Sequence, residues 1–154
     1  MIPMKTSITE SGPTPRKLAK EIKRINLYSA RKLGEHFHAV NLPRRFTIAG
    51  GRMLGFALRS PDYQRMKLRR KGHNNPLEFS GRTKRDVLGI EDVRTSGTSK
   101  RWTAQVVLRA RGLNRFKTSR INPAEEIRRV AAKEEGPLAR VFENHFDQQT
   151  QAIK

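Results

Sequence analysis

Apolar residues recur at steps of three and four, or sums of these, along the N-terminal third of the chain. This spacing places them on one face of an amphipathic helix, which we expect over residues 15–40. Thr14 is the predicted N-cap and Pro15 the first helical residue. Because a residue before proline is disfavoured in helical conformation, we expect the helix to end at Leu42 and Pro43. The apolar stripe consists of Leu18, Ile22, Ile25, Leu33, Phe37 and Val40.

The middle of the chain has weaker periodicity. Residues 44–58 mix β-branched and aromatic residues with three glycines, which predicts a loop or a short irregular element. Pro61 is a predicted start of another short helix. The alternation of Leu77, Glu78 and Phe79 predicts a short strand.

The clearest alternation lies in residues 101–111, where nearly every second residue is apolar. A more mixed apolar segment, residues 86–95, precedes it, and the turn-forming residues 95–99 lie between the two. Two such segments joined by a loop rich in Gly, Ser and Thr predict a β-hairpin at the centre of the sheet. We expect Trp102, Val106 and Leu108 to face the core.

A C-terminal helix over residues 123–150 is predicted by its start signal and its apolar spacing. Asn122 is the expected N-cap, Pro123 the first helical residue and Glu125 the capping-box carboxylate. Gly136 and Pro137 interrupt the pattern, so we expect a kink or a split near the middle of this helix. Together the elements predict an α+β fold, in which a long N-terminal helix and a kinked C-terminal helix pack on a small antiparallel β-sheet.

The length of 154 residues suits one domain with a modest core. Residues 1–14 are polar and lack periodicity, so we interpret them as a flexible N-terminal arm, and residues 15–154 as the single domain. The longest aliphatic run, Val106 to Leu108, is far too short to span a bilayer, and the N-terminus lacks the apolar core of a signal peptide. We therefore expect a cytoplasmic protein without membrane contact.

The net charge and its distribution along the chain indicate the kind of partner that the protein binds. The chain carries a formal net charge of +19, from 33 Lys and Arg against 14 Asp and Glu. Residues 1–121 hold 28 basic and 8 acidic side chains (net +20), whereas residues 122–154 hold 5 basic and 6 acidic ones (net −1). This imbalance favours binding to polyanions, and it makes the C-terminal segment chemically distinct, as a packing or partner-docking element would be.

Two basic clusters flank the predicted strand around Leu77. Like charge this dense repels itself, so we expect the segment to contact nucleic acid, an acidic protein surface, or both. Aromatic residues make up 6% of the chain, so nucleic acid would be contacted through its phosphates, without sequence reading. The candidate contact residues are Arg65, Lys67, Arg69, Arg70, Lys71, Arg82, Lys84 and Arg85.

The sequence contains no enzyme signature. It has no cysteine, and His36 and His38 are two positions apart on the predicted helix, so they cannot share a metal ion as an i, i+4 pair would. Gly50, Gly51 and Gly55 lack the spacing of a phosphate-binding loop. The four glutamates between residues 125 and 135 lie at predicted helix-surface positions that suit capping and solvation. We therefore predict a non-enzymatic protein with no catalytic residues, no metal and no cofactor.

A local pattern in residues 59–82 is similar to one in a known group of proteins. Its core is a Pro-Leu pair, two variable residues, Ser-Gly and a basic residue, although Thr83 stands where an apolar residue is commoner. With the order of the predicted elements, it resembles small structural proteins of tailed bacteriophages, of the tail-completion or head–tail connector (neck) type. The residues that carry the pattern are Arg59, Ser60, Tyr63, Lys67, Gly72, His73, Pro76, Leu77, Phe79, Ser80, Gly81 and Arg82.

The resemblance implies a virion structural protein whose copies pack side by side into a homo-oligomeric ring between the capsid portal and the tail. The implied partners are neighbouring portal or connector and tail proteins, and packaged double-stranded DNA held by its phosphates. Such a protein is made in the host cytoplasm and resides at the head–tail junction. The alternative interpretation is a ribosomal or other RNA-binding structural protein, for which a strongly basic chain without cysteine is ordinary.

Overall fold

The computed structural model describes residues 14–78, 80–89, 91–98, 101–108 and 121–153. It confirms the predicted α+β class, with helices packed on a two-stranded antiparallel sheet. The N-terminal arm, apart from Thr14, lies outside the described residues. In chain order the elements are α1 (Pro15–His36), a π-helical turn (Phe37–Asn41), α2 (Leu42–Arg44), α3 (Ile48–Met53), α4 (Pro61–Lys71), α5 (Arg82–Leu88), β1 (Val93–Gly97), β2 (Trp102–Val106), α6 (Pro123–Arg128) and α7 (Ala132–Gln151).

The long N-terminal helix is confirmed, but it does not end at Pro43 as predicted. A widened turn precedes the proline, in which the Leu42 N–H donates to the Phe37 carbonyl, five residues back. A regular α-helical turn would press the ring of Pro43 against the carbonyl of Ala39, four residues before it. The π-helical turn changes that spacing, so the helical path continues to Arg44.

α1 packs lengthwise against α7, and both strands of the hairpin also pack on α1. The two helices are antiparallel: Tyr28 meets His145 edge to face, whereas Asn41, at the end of the π-helical turn that continues α1, donates to Glu134 at 2.8 Å. The same register places the first two turns of α1 beyond the C-terminal end of α7.

Only part of the predicted apolar stripe of α1 is therefore buried. Ile25 and Phe37 lie in the interior, whereas Leu18 and Ile22 keep 39% and 40% of their surface exposed. Periodicity identified the correct face of the helix, but it could not show where the covering helix ends.

Residues 44–58 contain the short helix α3 in place of a wholly irregular segment. The Thr47 hydroxyl begins it by accepting a hydrogen bond from the Gly50 N–H at 3.0 Å. A β-carbon at Gly50 would lie 1.9 Å from the Arg44 carbonyl oxygen, so this close approach of two backbone segments requires glycine.

The helix predicted to start at Pro61 is confirmed as α4, but the short strand predicted after it is wrong. Pro76 and Leu77 form a turn, with Leu77 at a φ of +58°, and Phe79 lies outside the described residues. Residues 86–88, predicted to begin the first hairpin strand, instead complete α5. Helical spacing there places Val87 in the core, with 1% of its surface exposed.

The hairpin itself is confirmed, with Val93 opposite Val106 and Gly97 opposite Trp102. Its faces are those predicted: Trp102 and Val106 are half-buried, and the residues between them alternate to an exposed face. Val106 and Leu108 pack against the core, as expected. The predicted continuation from residue 109 to residue 111 lies outside the described residues.

The C-terminal helix is split, as predicted, but at a different place. Asn122 caps α6 by accepting from the Glu125 N–H at 3.3 Å. The break follows at residues 129–131, where Arg129 and Ala131 are extended. α7 then runs continuously through Gly136 and Pro137, although Pro137, the sixth residue of the helix, deprives the Lys133 carbonyl of its donor.

The core is small and lies where the π-helical turn, α2, α5, α6 and the start of α7 meet. Leu33, Leu77, Leu88, Val106 and Leu108 pack against it from half-buried positions. Among the described residues, the buried hydrophobic ones are Ile25, Ala30, Phe37, Leu42, Phe46, Val87, Ala124, Ile127 and Leu138.

Candidate functional site

The basic clusters predicted from the sequence lie on α4, on α5 and beside the turn between them. Six of the eight predicted contact residues are exposed there, and we refer to these six as the basic surface. Arg65 is ion-paired with Asp62 at 2.6 Å, but both side chains remain largely in water. The members of the basic surface are Arg65, Arg69, Arg70, Lys71, Arg82 and Arg85.

α4 has well-formed ends, which fix where its cations lie. The Ser60 hydroxyl accepts from the Tyr63 N–H at 3.3 Å, and Asp62 lies in the first turn. Gly72 ends the helix in the left-handed conformation at a φ of +71°, which a residue with a side chain rarely adopts. Cations in the last turn interact favourably with the negative end of the helix dipole, which offsets part of their mutual repulsion.

Lys67 was predicted as a contact residue, but its side chain is buried. It is 3% exposed, and its ammonium group donates to the carbonyl of Asn75 and lies 5.8 Å from the centre of the Tyr63 ring. Burial lowers the pKa of Lys67; the nearby Glu78 carboxylate partly opposes this shift, and Arg59 adds to it. Lys67 therefore holds the turn after α4 in place and is not available to a partner.

Lys84 has a similar structural role, although it is less buried. Its ammonium group lies 3.3 Å from the Glu78 carboxylate, and the amide of Asn75 lies 3.4 Å from the same oxygen. Together with the bond from Lys67 to Asn75, these contacts join the end of α4 to the start of α5. The two exposed clusters are thus held on one braced scaffold.

A buried ion pair that no sequence pattern indicated joins Arg45 to Glu134, which are 0% and 3% exposed. The two guanidinium nitrogens of Arg45 donate to the two carboxylate oxygens at 2.9 and 2.6 Å. Further donations go to the carbonyls of Asn41 and Arg129, both at 2.8 Å, and the guanidinium lies over the Phe37 ring. This cluster joins the π-helical turn and the end of α2 to the break between α6 and α7.

Glu134 was expected at a solvated helix surface, and its burial corrects that expectation. Burial disfavours its charged form, but hydrogen bonds from Arg45, the Ala131 amide and Asn41 outweigh this effect and hold the pKa of Glu134 below its ordinary value. The one local signal was its position: Glu134 is the third residue of α7 and accepts from the Ala131 N–H at 3.0 Å.

A second ion pair, which is only partly buried, joins Arg59 to Glu126. The guanidinium donates to the two carboxylate oxygens at 2.9 and 2.6 Å and also to the Ala57 carbonyl at 2.7 Å. Gln64 donates to the Arg59 carbonyl at 2.7 Å. These bonds attach the loop before α4 to α6.

The histidines predicted not to share a metal have different environments. His38 is buried, with Nε2 3.2 Å from the Val87 carbonyl, whereas His36 is half-buried. Within the described ranges, His, Cys, Asp and Glu form no group of three or more that could hold a metal ion. In the same part of the chain, no helix combines the length and the apolarity needed to cross a membrane.

Comparisons of the chain with protein-family models, with curated proteins and with solved structures find no match.

Proposed function

We propose that this chain is a non-enzymatic structural protein of a tailed-phage virion, forming a homo-oligomeric ring at the head–tail junction that joins the capsid portal to the tail. The observation that carries the proposal is the basic surface. Six exposed cations lie on two helices whose connecting turn is braced by Lys67 and Lys84. A charged surface held in this way supports docking of a specific macromolecule better than a flexible basic tail does.

The small core supports assembly with other copies. The described residues bury few large side chains, and the first turns of α1 leave Leu18 and Ile22 two-fifths exposed. A net of +20 over residues 1–121 and −1 over residues 122–154 gives each subunit two chemically different parts. Such a difference suits head-to-tail contact between neighbours, in which unlike surfaces meet.

The basic surface has two candidate partners at a head–tail junction: an acidic ring of the portal or tail, and the packaged DNA. We favour the acidic protein ring. Phosphate contacts carry no sequence information directly, whereas joining a ring to its neighbours requires specificity. DNA contact through phosphates would then be a secondary role of the same cations.

The proposal is tested by disrupting the gene in the phage that carries it and purifying the particles. We expect filled heads and finished tails that fail to join, and restoration of joined particles when the wild-type chain is supplied. The chain should also co-purify with intact particles after a high-salt wash. Joined, infectious particles without the chain would contradict the proposal, and recovery of the chain with ribosomal RNA would favour the RNA-binding alternative.

A further inference from the structure

Leu58 is the most exposed large hydrophobic residue in the described part of the chain. It keeps 91% of its surface in water, whereas the other exposed large hydrophobic residues keep between 37% and 51%. Single exposed leucines are common on protein surfaces and need no explanation by themselves. The surroundings of Leu58 distinguish it.

The loop that carries Leu58 is attached on both sides of the exposed side chain. Its neighbour Arg59 forms the two-bond ion pair with Glu126 and also donates to the carbonyl of Ala57. Gln64 fixes the Arg59 carbonyl from α4. An apolar side chain on a fixed loop loses little conformational entropy when it enters a partner, which is the property of an effective binding anchor.

The same chain contains an apolar cavity of about 170 Å³ lined by residues of α1, β2, α6 and α7. Arg128 and Val130 stand at its rim, and both are exposed. An apolar protein cavity of about 150 Å³ can hold a molecule of benzene, so this one has room for the four-carbon side chain of a leucine. Its wall is formed by Leu33, Phe37, Ala104, Val106, Leu108 and Leu138.

Leu58 and the cavity cannot meet within one subunit. The Leu58 loop is held by Glu126, whereas Arg128 borders the cavity, and residues two apart on a helix point to opposite sides. Charge also suits a contact between two subunits. The side chain of Asp62, four residues after Leu58, is 88% exposed, and its surface pair with Arg65 contributes little stability, so Asp62 can turn to Arg128 at the cavity rim.

We propose that Leu58 of one copy inserts into the cavity beside Val130 of the next copy, and that this contact links the subunits. A projection on one side of a subunit and its receptor on another make a heterologous contact, which closes into a ring or extends as a filament. This inference deepens the proposed function, since it rests on the chain being a ring subunit and names the contact between neighbours.

The test uses the full chain, which has no native cysteine. Leu58→Cys protein is mixed with Val130→Cys protein and treated with a short thiol-reactive cross-linker. We expect a one-to-one cross-linked dimer, and a ladder of higher oligomers when one chain carries both substitutions. The matched control replaces Leu58→Cys with Leu68→Cys, since Leu68 is also an exposed leucine and lies on α4.

Equal cross-linking by the Leu58→Cys and Leu68→Cys proteins would overturn the inference. So would a cross-link within one chain at high dilution. A third outcome, cross-linking that appears only after deletion of residues 1–13, would show that the N-terminal arm fills the cavity and would equally overturn it.

A second measurement does not depend on cysteine chemistry. Leu58→Asp protein should remain folded, because the side chain is exposed, but its self-association in sedimentation should weaken by about tenfold or more. Leu68→Asp protein should associate like the wild type. If both variants associate equally, the inference fails.

Failure of this inference and failure of the proposed function are distinguishable. Particles that join normally with Leu58→Asp protein would overturn the contact and leave the role at the junction intact. Specific cross-linking of a protein that is absent from particles would keep the contact and overturn the role.

Discussion

Arg45 and Glu134 are charged residues that are almost completely removed from water. Each depends on the other to offset the cost of burying its charge. Desolvation of an isolated charge costs several kcal/mol, and the paired hydrogen bonds between the two groups offset that cost. Arg45 carries no local sequence signal of its burial, and the capping position of Glu134 does not indicate its ion pair, because the partners are 89 positions apart. Their meeting depends on α7 folding back along α1.

We predict that Glu134→Ala lowers the free energy of unfolding by about 3–5 kcal/mol, because it leaves the Arg45 guanidinium buried and without its carboxylate. Urea denaturation measures this. The control is Glu21→Ala, which removes the exposed pair of Glu21 with Arg24 and should cost less than about 1 kcal/mol. Similar losses in the two variants would show that the buried pair has no special role.

The depressed pKa of Glu134 predicts a pH dependence with a definite sign. Since the carboxylate is ionised more readily in the folded than in the unfolded chain, its stabilising effect is complete above the unfolded pKa and is lost as pH falls through the folded pKa. The stability difference between wild-type and Glu134→Gln proteins should therefore shrink as pH falls below about 5. A difference that stays constant into the acid range would contradict this assignment.

Lys67 shows why the candidate site could be only partly predicted. Its sequence neighbours Arg65, Arg69 and Arg70 are equally basic, and nothing local separates the buried cation from the exposed ones. Its burial depends on the later turn, which brings the Asn75 carbonyl to the Lys67 ammonium group. Composition could therefore predict a basic surface here, but not which cations face outward.

At the scale of elements, long periodic segments were predictable and short junctions were not. α1, the hairpin and the capped start of α6 follow from spacing and from the residues that begin them. The end of α5 was wrongly predicted as part of a strand, because the positions of Val87 and Leu88 fit the apolar spacing of a strand as well as that of a helix. The break at residues 129–131 was also missed, since the cluster that surrounds it includes Arg45, distant in sequence.

The hairpin packs closely on α1 at Gly34. We therefore predict that the effect of Gly34→Ala on stability changes sign when the neighbouring Val93 is shortened. A β-carbon there would lie 2.5 Å from a methyl carbon of Val93, so Gly34→Ala should destabilise the protein by about 1–3 kcal/mol through overpacking. In a Val93→Ala background the same change should stabilise it, because alanine favours helix by up to about 1 kcal/mol over glycine. Thermal denaturation of the four proteins measures this, and destabilisation in both backgrounds would contradict the packing account.

At the scale of the whole molecule, we predict that substitutions in the basic surface can abolish particle joining without a specific effect on DNA binding. Changing Arg69, Arg70 and Lys71 to Ser should leave the fold intact and prevent the chain from joining particles. The control changes the exposed residues Arg16, Lys17 and Lys20 of α1, and so removes the same charge elsewhere.

DNA binding measured against salt distinguishes the two partners of the basic surface. Each neutralised phosphate contributes a log–log slope of about −0.9. If the surface docks an acidic protein ring, the two triple variants should change that slope equally. A slope flattened only in the Arg69, Arg70 and Lys71 variant would show that these residues contact DNA.

The ring at the head–tail junction is the central claim, and electron cryomicroscopy of the mature particle tests it most directly. We predict a closed ring of identical copies between portal and tail, with α4 and α5 of every copy facing an acidic neighbour and Leu58 of each copy inside the next. A particle whose junction contains no copy of this chain, or a single copy bound to RNA, would contradict the account.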